Sequence, residues 1–334
     1  MTPHPRTINV HHRLYSYLVI ARPDHWVKHI FILPGILVAV ILDSSSEFNI
    51  LNIAMGTLSA CFIASANYVI NEYLDAESDK FHPTKKDRMA VVHSLPARYV
   101  YLEYSLLIGL GLALASYINV YFLGVASLFA IMAVLYNVRP FRFKDRFLLD
   151  VLSESLNSPL RLLLGWFMVT SVTVPPTSLL LSYWFGGAFL MAAKRFSEYR
   201  HLVAEVSPYA LVSYRKSFGS YSEASLVGSM FCYALLCGFL ASAFVLKYRI
   251  EYFLTFPFLI ALFTYYVVLS FERDSVAQAP EKLHKNVFLM TTMLLLFVSF
   301  VFLTYVDIPF LNTVLMSHAI EVETIRHQIM GAFK

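Results

Sequence analysis

Long apolar runs, interrupted at intervals by short polar segments, occupy most of the chain. Runs near the length needed to cross a bilayer fall at residues 29–43, 51–71, 97–117, 119–138, 151–173, 179–194, 224–245, 252–271 and 287–305. A helix needs about 20 predominantly apolar residues to span the hydrocarbon, so the pattern predicts an all-α, polytopic membrane bundle of about nine transmembrane helices. The first run is short, and the fifth carries polar interruptions. Only a few polar residues around Ser116 to Asn119 separate the third run from the fourth, which makes the two an antiparallel hairpin.

The basic residues orient this bundle. With a cytoplasmic N-terminus, the inside segments hold Arg6, Arg13, Arg22 and Lys28; Lys80, Lys85, Lys86, Arg88 and Arg98; Arg139, Arg142, Lys144 and Arg146; Lys194, Arg195, Arg200, Arg215 and Lys216; and Arg273, Lys282 and Lys285. These are 21 of the 26 lysines and arginines. Outside fall only Lys247, Arg249, Arg326 and Lys334, while Arg161 lies within a span. Positive residues concentrate in cytoplasmic loops, so the reading is a multi-pass protein of the inner (plasma) membrane with its N-terminus and polar loops cytoplasmic and its C-terminus outside. The chain then divides into a cytoplasmic segment 1–28, a transmembrane catalytic domain 29–305 and an outside tail 306–334. The first 28 residues lack the apolar core of a cleaved signal peptide, which leaves the first span as an uncleaved insertion signal.

Composition narrows the function classes. The chain is 58% hydrophobic and 14% charged, against about 25% charged in soluble domains. The net charge of +4 belongs to the inside loops, and no soluble basic domain exists to bind nucleic acid. Cys61, Cys232 and Cys237 all lie in apolar runs and read as core or lipid-facing residues.

The stretch 67–88 carries the densest candidate chemistry. Asn71, Asp75 and Asp79 recur every four residues at the end of the second run, a spacing that lines one helix face. Converging carboxylates repel one another unless a cation sits between them. Mg2+ suits such a site, because it takes one or two carboxylates and fills its other positions with water and substrate phosphate. His82, Lys85, Lys86 and Arg88 follow, suited to gripping phosphate oxygens. Acid first and base next predicts a metal-bridged phosphorylated or diphosphate substrate. The plain alternative is a solvated loop with charges at helical spacing; growth out of a membrane helix favours function, since ionisable groups there are seldom idle.

In the fifth run Asp150, Glu154, Asn157 and Arg161 share a second face, which in lipid must turn inward. Opposed to Asp75 and Asp79, an Asp150 and Glu154 stripe would form a two-helix cage for one or two divalent ions. Arg161 would lie about 16 Å deeper, at 1.5 Å per residue, as a counter-charge or a ligand for an anion. Pro159 predicts a kink. An internal ion pair of Glu154 with Arg161 through Asn157 is the alternative. Arg22, His25, Trp26 and Lys28 suit either headgroup anchoring or substrate phosphate, and Arg139, Arg142, Lys144 and Arg146 either meet anionic lipid or bind phosphate. At the end of the sixth run Lys194 and Glu198 form an i, i+4 pair beside Arg195. The polar segment 198–223 reads as a loop over the site, with 214–219 as lid chemistry.

These motifs resemble the UbiA superfamily of intramembrane prenyltransferases. The Asn71-x-x-x-Asp75-x-x-x-Asp79 signature looks like its first acidic motif. Asp79-x-x-His82-Pro83-x-Lys85-x-x-Arg88, the early Arg22-Pro-x-x-Trp26-x-Lys28, Asp150-Val151, Leu160-Arg161, Lys194-Arg195-x-x-Glu198 and Pro280-Glu281-Lys282 are similar to the decaprenyl-phosphate phosphoribosyltransferase branch. The resemblance implies Mg2+-dependent transfer of a 5-phosphoribosyl group from phosphoribosyl pyrophosphate to a polyprenyl phosphate. On that reading Asp75, Asp79, Asp150, Glu154 and Arg161 are catalytic, and Asn71, Asp75, Asp79 and Asp150 hold metal. Arg22, Lys28, His82, Lys85, Arg88, Arg139, Arg142, Lys144, Asn157, Lys194, Arg195 and Glu198 bind substrate. The partners are a polyprenyl lipid, the phosphorylated donor and the bilayer. Two alternatives stay open: polyprenyl transfer from a diphosphate to an aromatic or other acceptor, and a transporter, whose charges would be expected near the bilayer midplane.

Overall fold

The computed structural model describes residues 10–272, 276–278 and 285–316, and the regular structure within them is helical throughout. In chain order the α-helices are α1 (Val10–Ile20), α2 (Leu33–Leu42), α3 (Ile50–Asp79), the short α4 (Met89–Val92), α5 (Ala97–Ile118), α6 (Val120–Asn137), α7 (Leu149–Ser155), α8 (Asn157–Val169), α9 (Thr177–Glu205), α10 (Pro208–Tyr214), α11 (Glu223–Tyr248), α12 (Phe256–Phe271), α13 (Val287–Tyr305) and α14 (Pro309–Met316). Among the described residues seven helical stretches are long and apolar enough to cross a membrane. The other two expected runs are α7 with α8, which is split, and α9, whose apolar stretch is diluted by Ser, Tyr, Trp and Gly. The Pro280 to Lys282 motif, Arg273 and the tail beyond 316 lie outside the described residues.

Side-chain caps mark several helix starts. Asn49 accepts from the amides of Leu51 and Asn52 at the head of α3, Asn119 from Phe122 at α6, and Asn286 from Leu289 at α13. Ser222 and Ser225 form a reciprocal capping box on α11. Each cap satisfies amide donors that the first helical turn leaves unpaired.

Two elements differ from the sequence expectation. The first span is a continuous stretch from Tyr15 to Leu42, in which α1 turns at Arg22 (φ 50°) into a 3₁₀ segment, Pro23–Ile32, before α2 begins. It is longer than its apolar run because the 3₁₀ segment buries His25 and His29 inside the bundle. The fifth span breaks at Leu156, not at Pro159. Proline acts on the turn before it, lacking a donor and excluding the carbonyl four residues back, here that of Ser155 at the end of α7.

Besides a smaller cluster of Ile20, Ala21, Val69, Leu95 and Val100, buried apolar residues form two large cores. One gathers Ile36, Ile63, Phe122, Phe129, Leu164 and Trp166 from α2, α3, α6 and α8; the other gathers Val151, Phe189, Phe196, Leu226, Met230 and Tyr266 from α7, α9, α11 and α12. Large apolar side chains such as Phe231, Phe239 and Val287 stay exposed on the outer surface, the face that lipid covers. The acid and base motifs collect where the two cores meet, at the end of the bundle from which the basic loops emerge.

Candidate active site

The end of α3 places Asp75 and Asp79 one turn apart, and cations from two loops reach them. Lys144 donates to Asp75, joined by Arg142 Nη2 at 3.2 Å, and Arg88 Nη1 donates to Asp79 at 2.7 Å. Lys144 is itself held by Asn137 Oδ1 at 2.8 Å. Burial pushes its ammonium down to about 8 against the opposing pull of Asp75, a sign that the pair has been taken out of water. Backbone strain gathers here too: Arg22, Arg142 and Leu148 have φ of 50°, 34° and 61°, the left-handed region that costs a non-glycine residue energy and that clusters at functional sites.

A second network hangs from α9. Glu198 accepts from Lys85 Nζ at 2.5 Å and from the Tyr214 hydroxyl at 2.6 Å, while His82 Nε2 lies 3.5 Å away. Burial lowers Lys85, and burial with the Glu198 charge raises the Tyr214 hydroxyl. Arg195, 1% exposed, joins three carboxylates: its Nε donates to Asp150 at 3.3 Å, its Nη1 to Glu198 at 3.3 Å and its Nη2 to Glu154. Glu154 also accepts from the Tyr136 hydroxyl at 2.8 Å and lies 3.6 Å from Lys194. Asp150, fully buried, accepts from the Tyr221 hydroxyl at 2.6 Å and Ser217 Oγ at 3.1 Å.

Deeper in the bundle, Arg161 lies 5.7 Å from the Phe129 ring, within electrostatic range of Tyr68, Tyr183 and His29. Its Nε and His29 Nδ1 are buried without a hydrogen-bond partner among the described residues. The Tyr68 ring is flanked by Arg22 at 6.0 Å, Lys28 at 5.8 Å and the His25 ring at 4.8 Å. Asn71 lies on α3 one turn before Asp75, and Asn157 opens α8, both half-buried.

The structure thus brings together the candidates from the stretch 71–88, the loop 139–146 and α9, but not in the expected cage. Asp150 is taken up by Arg195, Ser217 and Tyr221, whereas Asp75 and Asp79 are taken up by Lys144, Arg142 and Arg88, and the acid that α9 extends toward the 82–88 loop is Glu198. The ion pair of Glu154 with Arg161 does not form, because Glu154 is occupied by Arg195, Tyr136 and Lys194. Among the described residues no three carboxylate, imidazole or thiol groups converge as a self-contained metal site. Asp75 and Asp79 still fit Mg2+ as a pair of hard oxygen donors on one helix face, provided substrate phosphate completes the coordination. A cavity of about 590 Å³ opens beside them, lined by Ser78, Phe81, Arg139, Arg142, Tyr214 and Lys216. Ser217 falls in the 214–219 segment expected to carry lid chemistry, whereas Tyr136 and Tyr221 do not stand out in the sequence; the available signal for them is the recurrence of tyrosine near the polar loops.

Residues 32–292 match the model of the UbiA prenyltransferase family. The decaprenyl-phosphate phosphoribosyltransferase of Mycolicibacterium smegmatis is 32% identical over 222 residues, 64% of this chain and 65% of that protein. The protein of the same name from Corynebacterium glutamicum is 28% identical over 177 residues, 53% and 52% of the two chains. This chain therefore spans between half and two thirds of the length of these curated relatives. A UbiA homolog from Archaeoglobus fulgidus, solved bound to GPP and Mg2+, has the same fold, with a TM-score of 0.64 at 20% identity over 87% of this chain and 100% of that one. With its acidic α3 terminus set at the mouth of a helical membrane bundle and the family match running through nearly every element described, the chain belongs to the UbiA prenyltransferase family.

Proposed function

We propose that the chain is a plasma-membrane transferase that moves a 5-phosphoribosyl group from phosphoribosyl pyrophosphate to a polyprenyl phosphate, with its active site on the cytoplasmic side. The observation that carries this reading is the crowd of cations about the α3 carboxylates. Arg88, Arg142 and Lys144 grip Asp79 and Asp75, and Arg139 and Lys216 line the adjoining cavity. A phosphoribosyl donor brings a diphosphate and a further phosphate, and so needs more cations than a prenyl diphosphate does.

In the reaction an oxygen of the acceptor phosphate bonds to C1 of the ribose. The C1–O bond to the diphosphate breaks, and its electron pair departs with pyrophosphate. Mg2+, when bound with the donor, neutralises the charge growing on that leaving group. Arg88, Arg142 and Lys144 hold the diphosphate through charge-assisted hydrogen bonds, fixed in place beforehand so that little reorganisation remains at the moment of bond breaking. Arg161, with its unpartnered Nε below the acids, faces the acceptor side, where the lipid phosphate enters from between the helices.

A second reading is polyprenyl transfer from a diphosphate. It draws support from the fold shared with the homolog solved with GPP, and from a lycopene elongase/hydratase of Haloferax volcanii, 33% identical over 148 residues. The test is direct: membranes containing the protein receive Mg2+, labelled phosphoribosyl pyrophosphate and polyprenyl phosphate, and in parallel isoprenyl diphosphate with an aromatic acid. Label in a lipid product in the first arm alone is expected; product in the second arm alone overturns the phosphoribosyl reading.

A further inference from the structure

Two arginines enter the heart of the site, and they use their donors differently. Arg195 has every nitrogen engaged, with Asp150, Glu198, Glu154 and the Tyr136 hydroxyl. Arg215, carried in by the connection between α10 and α11, lies beside Tyr136 with its Nη1 3.8 Å from Asp150, too far for a hydrogen bond. Its Nε and Nη1 are buried without any acceptor among the described residues. The acids within reach are already satisfied by Arg195, Lys85 and three tyrosine hydroxyls.

This cation is also surrounded by others. It couples electrostatically with Lys85, Lys144 and Arg195, and in the opposite sense with Asp150 and Glu198. Buried donors left unmet among like charges are costly, so the surroundings must hold Arg215 there. They do: the guanidinium lies 5.9 and 5.8 Å from the Tyr214 and Phe218 rings, and the segment is tied down on both sides of it. Tyr214 donates to Glu198, and Ser217 and Tyr221 donate to Asp150. Tyr214 and Lys216, its neighbours in the chain, line the cavity beside Asp75, while Arg215 itself lies behind that lining.

We propose that Arg215 is a substrate-binding residue whose unmet Nε and Nη1 donors take oxygens of the donor diphosphate, and that Arg195 is a positioning residue that touches no substrate. The Nε–H and Nη1–H bonds point to different sides of the guanidinium, and each offers its own charge-assisted hydrogen bond to a phosphate oxygen. The negative ligand supplies the acceptors that these two donors lack. This assignment rests on the reading that the site handles a diphosphate, but not on which group is transferred.

The experiment uses the purified full-length protein, with inorganic pyrophosphate and Mg2+ as the probe, since pyrophosphate is common to both candidate donors. Binding is measured by calorimetry, and ligand-free stability by thermal melting, for the wild type, Arg215→Gln, Arg215→Lys and Arg195→Gln. Arg215→Gln is expected to melt at or near the wild-type temperature, having lost two unmet donors, and to bind pyrophosphate roughly 10- to 100-fold more weakly, the loss expected for charge-assisted hydrogen bonds. Arg215→Lys recovers part of the affinity, because an ammonium keeps the charge without the fork. Arg195→Gln lowers the melting temperature instead. Wild-type affinity in Arg215→Gln, a fall in its ligand-free melting temperature like that of Arg195→Gln, or a wild type that does not bind Mg2+ with pyrophosphate would each overturn the assignment. Failure of the phosphoribosyl reading appears only in the identity of the transferred label, so the two are told apart.

Discussion

Three carboxylates depend on Arg195. Asp150, Glu154 and Glu198 come from two helices and would crowd at one point without the guanidinium between them. Removing one partner of a buried ion network leaves uncompensated charge and costs about 3–5 kcal/mol. Arg195→Gln is therefore expected to lower the melting temperature sharply in detergent, and Arg195→Lys to recover little, because one ammonium cannot reach three acids. Asp79 is a different case: its partner Arg88 keeps partial contact with solvent, so Asp79→Asn should leave a folded, membrane-inserted protein. Turnover in the same variant should fall by more than about 100-fold, the order of losing a preorganised electrostatic contact. Near-wild-type turnover in Asp79→Asn would remove this acid from the mechanism. Asp75, Asp79 and Glu198 can be picked out in the sequence because acids at helical spacing beside a membrane run are conspicuous. Their pairings with the candidate cations cannot. The contacts Lys85 to Tyr214 and Arg195 to Asp150 join residues far apart in the chain, and only packing decides them.

At the scale of helices, the bundle depends on two glycines where α2 and α8 cross. A Cβ on Gly35 would overlap the Leu162 carbonyl oxygen, and one on Gly165 would overlap that of Ile32. Both obstacles are backbone, which cannot swing aside as a side chain can. Small residues at such crossings let membrane helices approach closely. Gly35→Ala or Gly165→Ala should thus destabilise by about 1–3 kcal/mol or more, seen as a lower melting temperature and a smaller folded yield. Gly109 in α5 and Gly228 in α11 have open space where a methyl group would stand; alanine there should be neutral or stabilising by up to about 1 kcal/mol. Equal losses at all four positions would show that helix propensity, not the crossing, is being measured. The apolar runs make the spans themselves readable, since lipid demands length and hydrophobicity of any helix it surrounds. The split at Leu156 and the 3₁₀ stretch Pro23–Ile32 are not readable, because tertiary contacts hold them: Trp26 Nε1 donates to Ser65 at 2.9 Å, and Trp184 Nε1 to the Leu152 carbonyl at the end of α7 at 3.1 Å.

For the molecule as a whole, the site lies at the seam between two apolar cores, and its charges already answer one another without metal. Lys144, Arg142 and Arg88 occupy the places beside Asp75 and Asp79 that a cation would otherwise take, and no three-ligand metal site forms among the described residues. Free Mg2+ must then compete with three resident cations for two carboxylates, whereas a Mg2+–diphosphate complex brings negative charge for those cations to hold. The two ligands should therefore act on global stability quite differently. A ligand that binds only the folded state adds about 2.7 kcal/mol at a hundredfold excess over its dissociation constant, and 1 kcal/mol moves the melting temperature of a large domain by roughly 2–4 °C. Mg2+ with pyrophosphate at that excess should raise the melting temperature by about 5 °C or more, while Mg2+ alone should move it by less than about 1 °C, and chelator should abolish the combined shift. A full shift with Mg2+ alone would mean that the acids hold metal unaided, and that the cations around them yield to it before any substrate arrives.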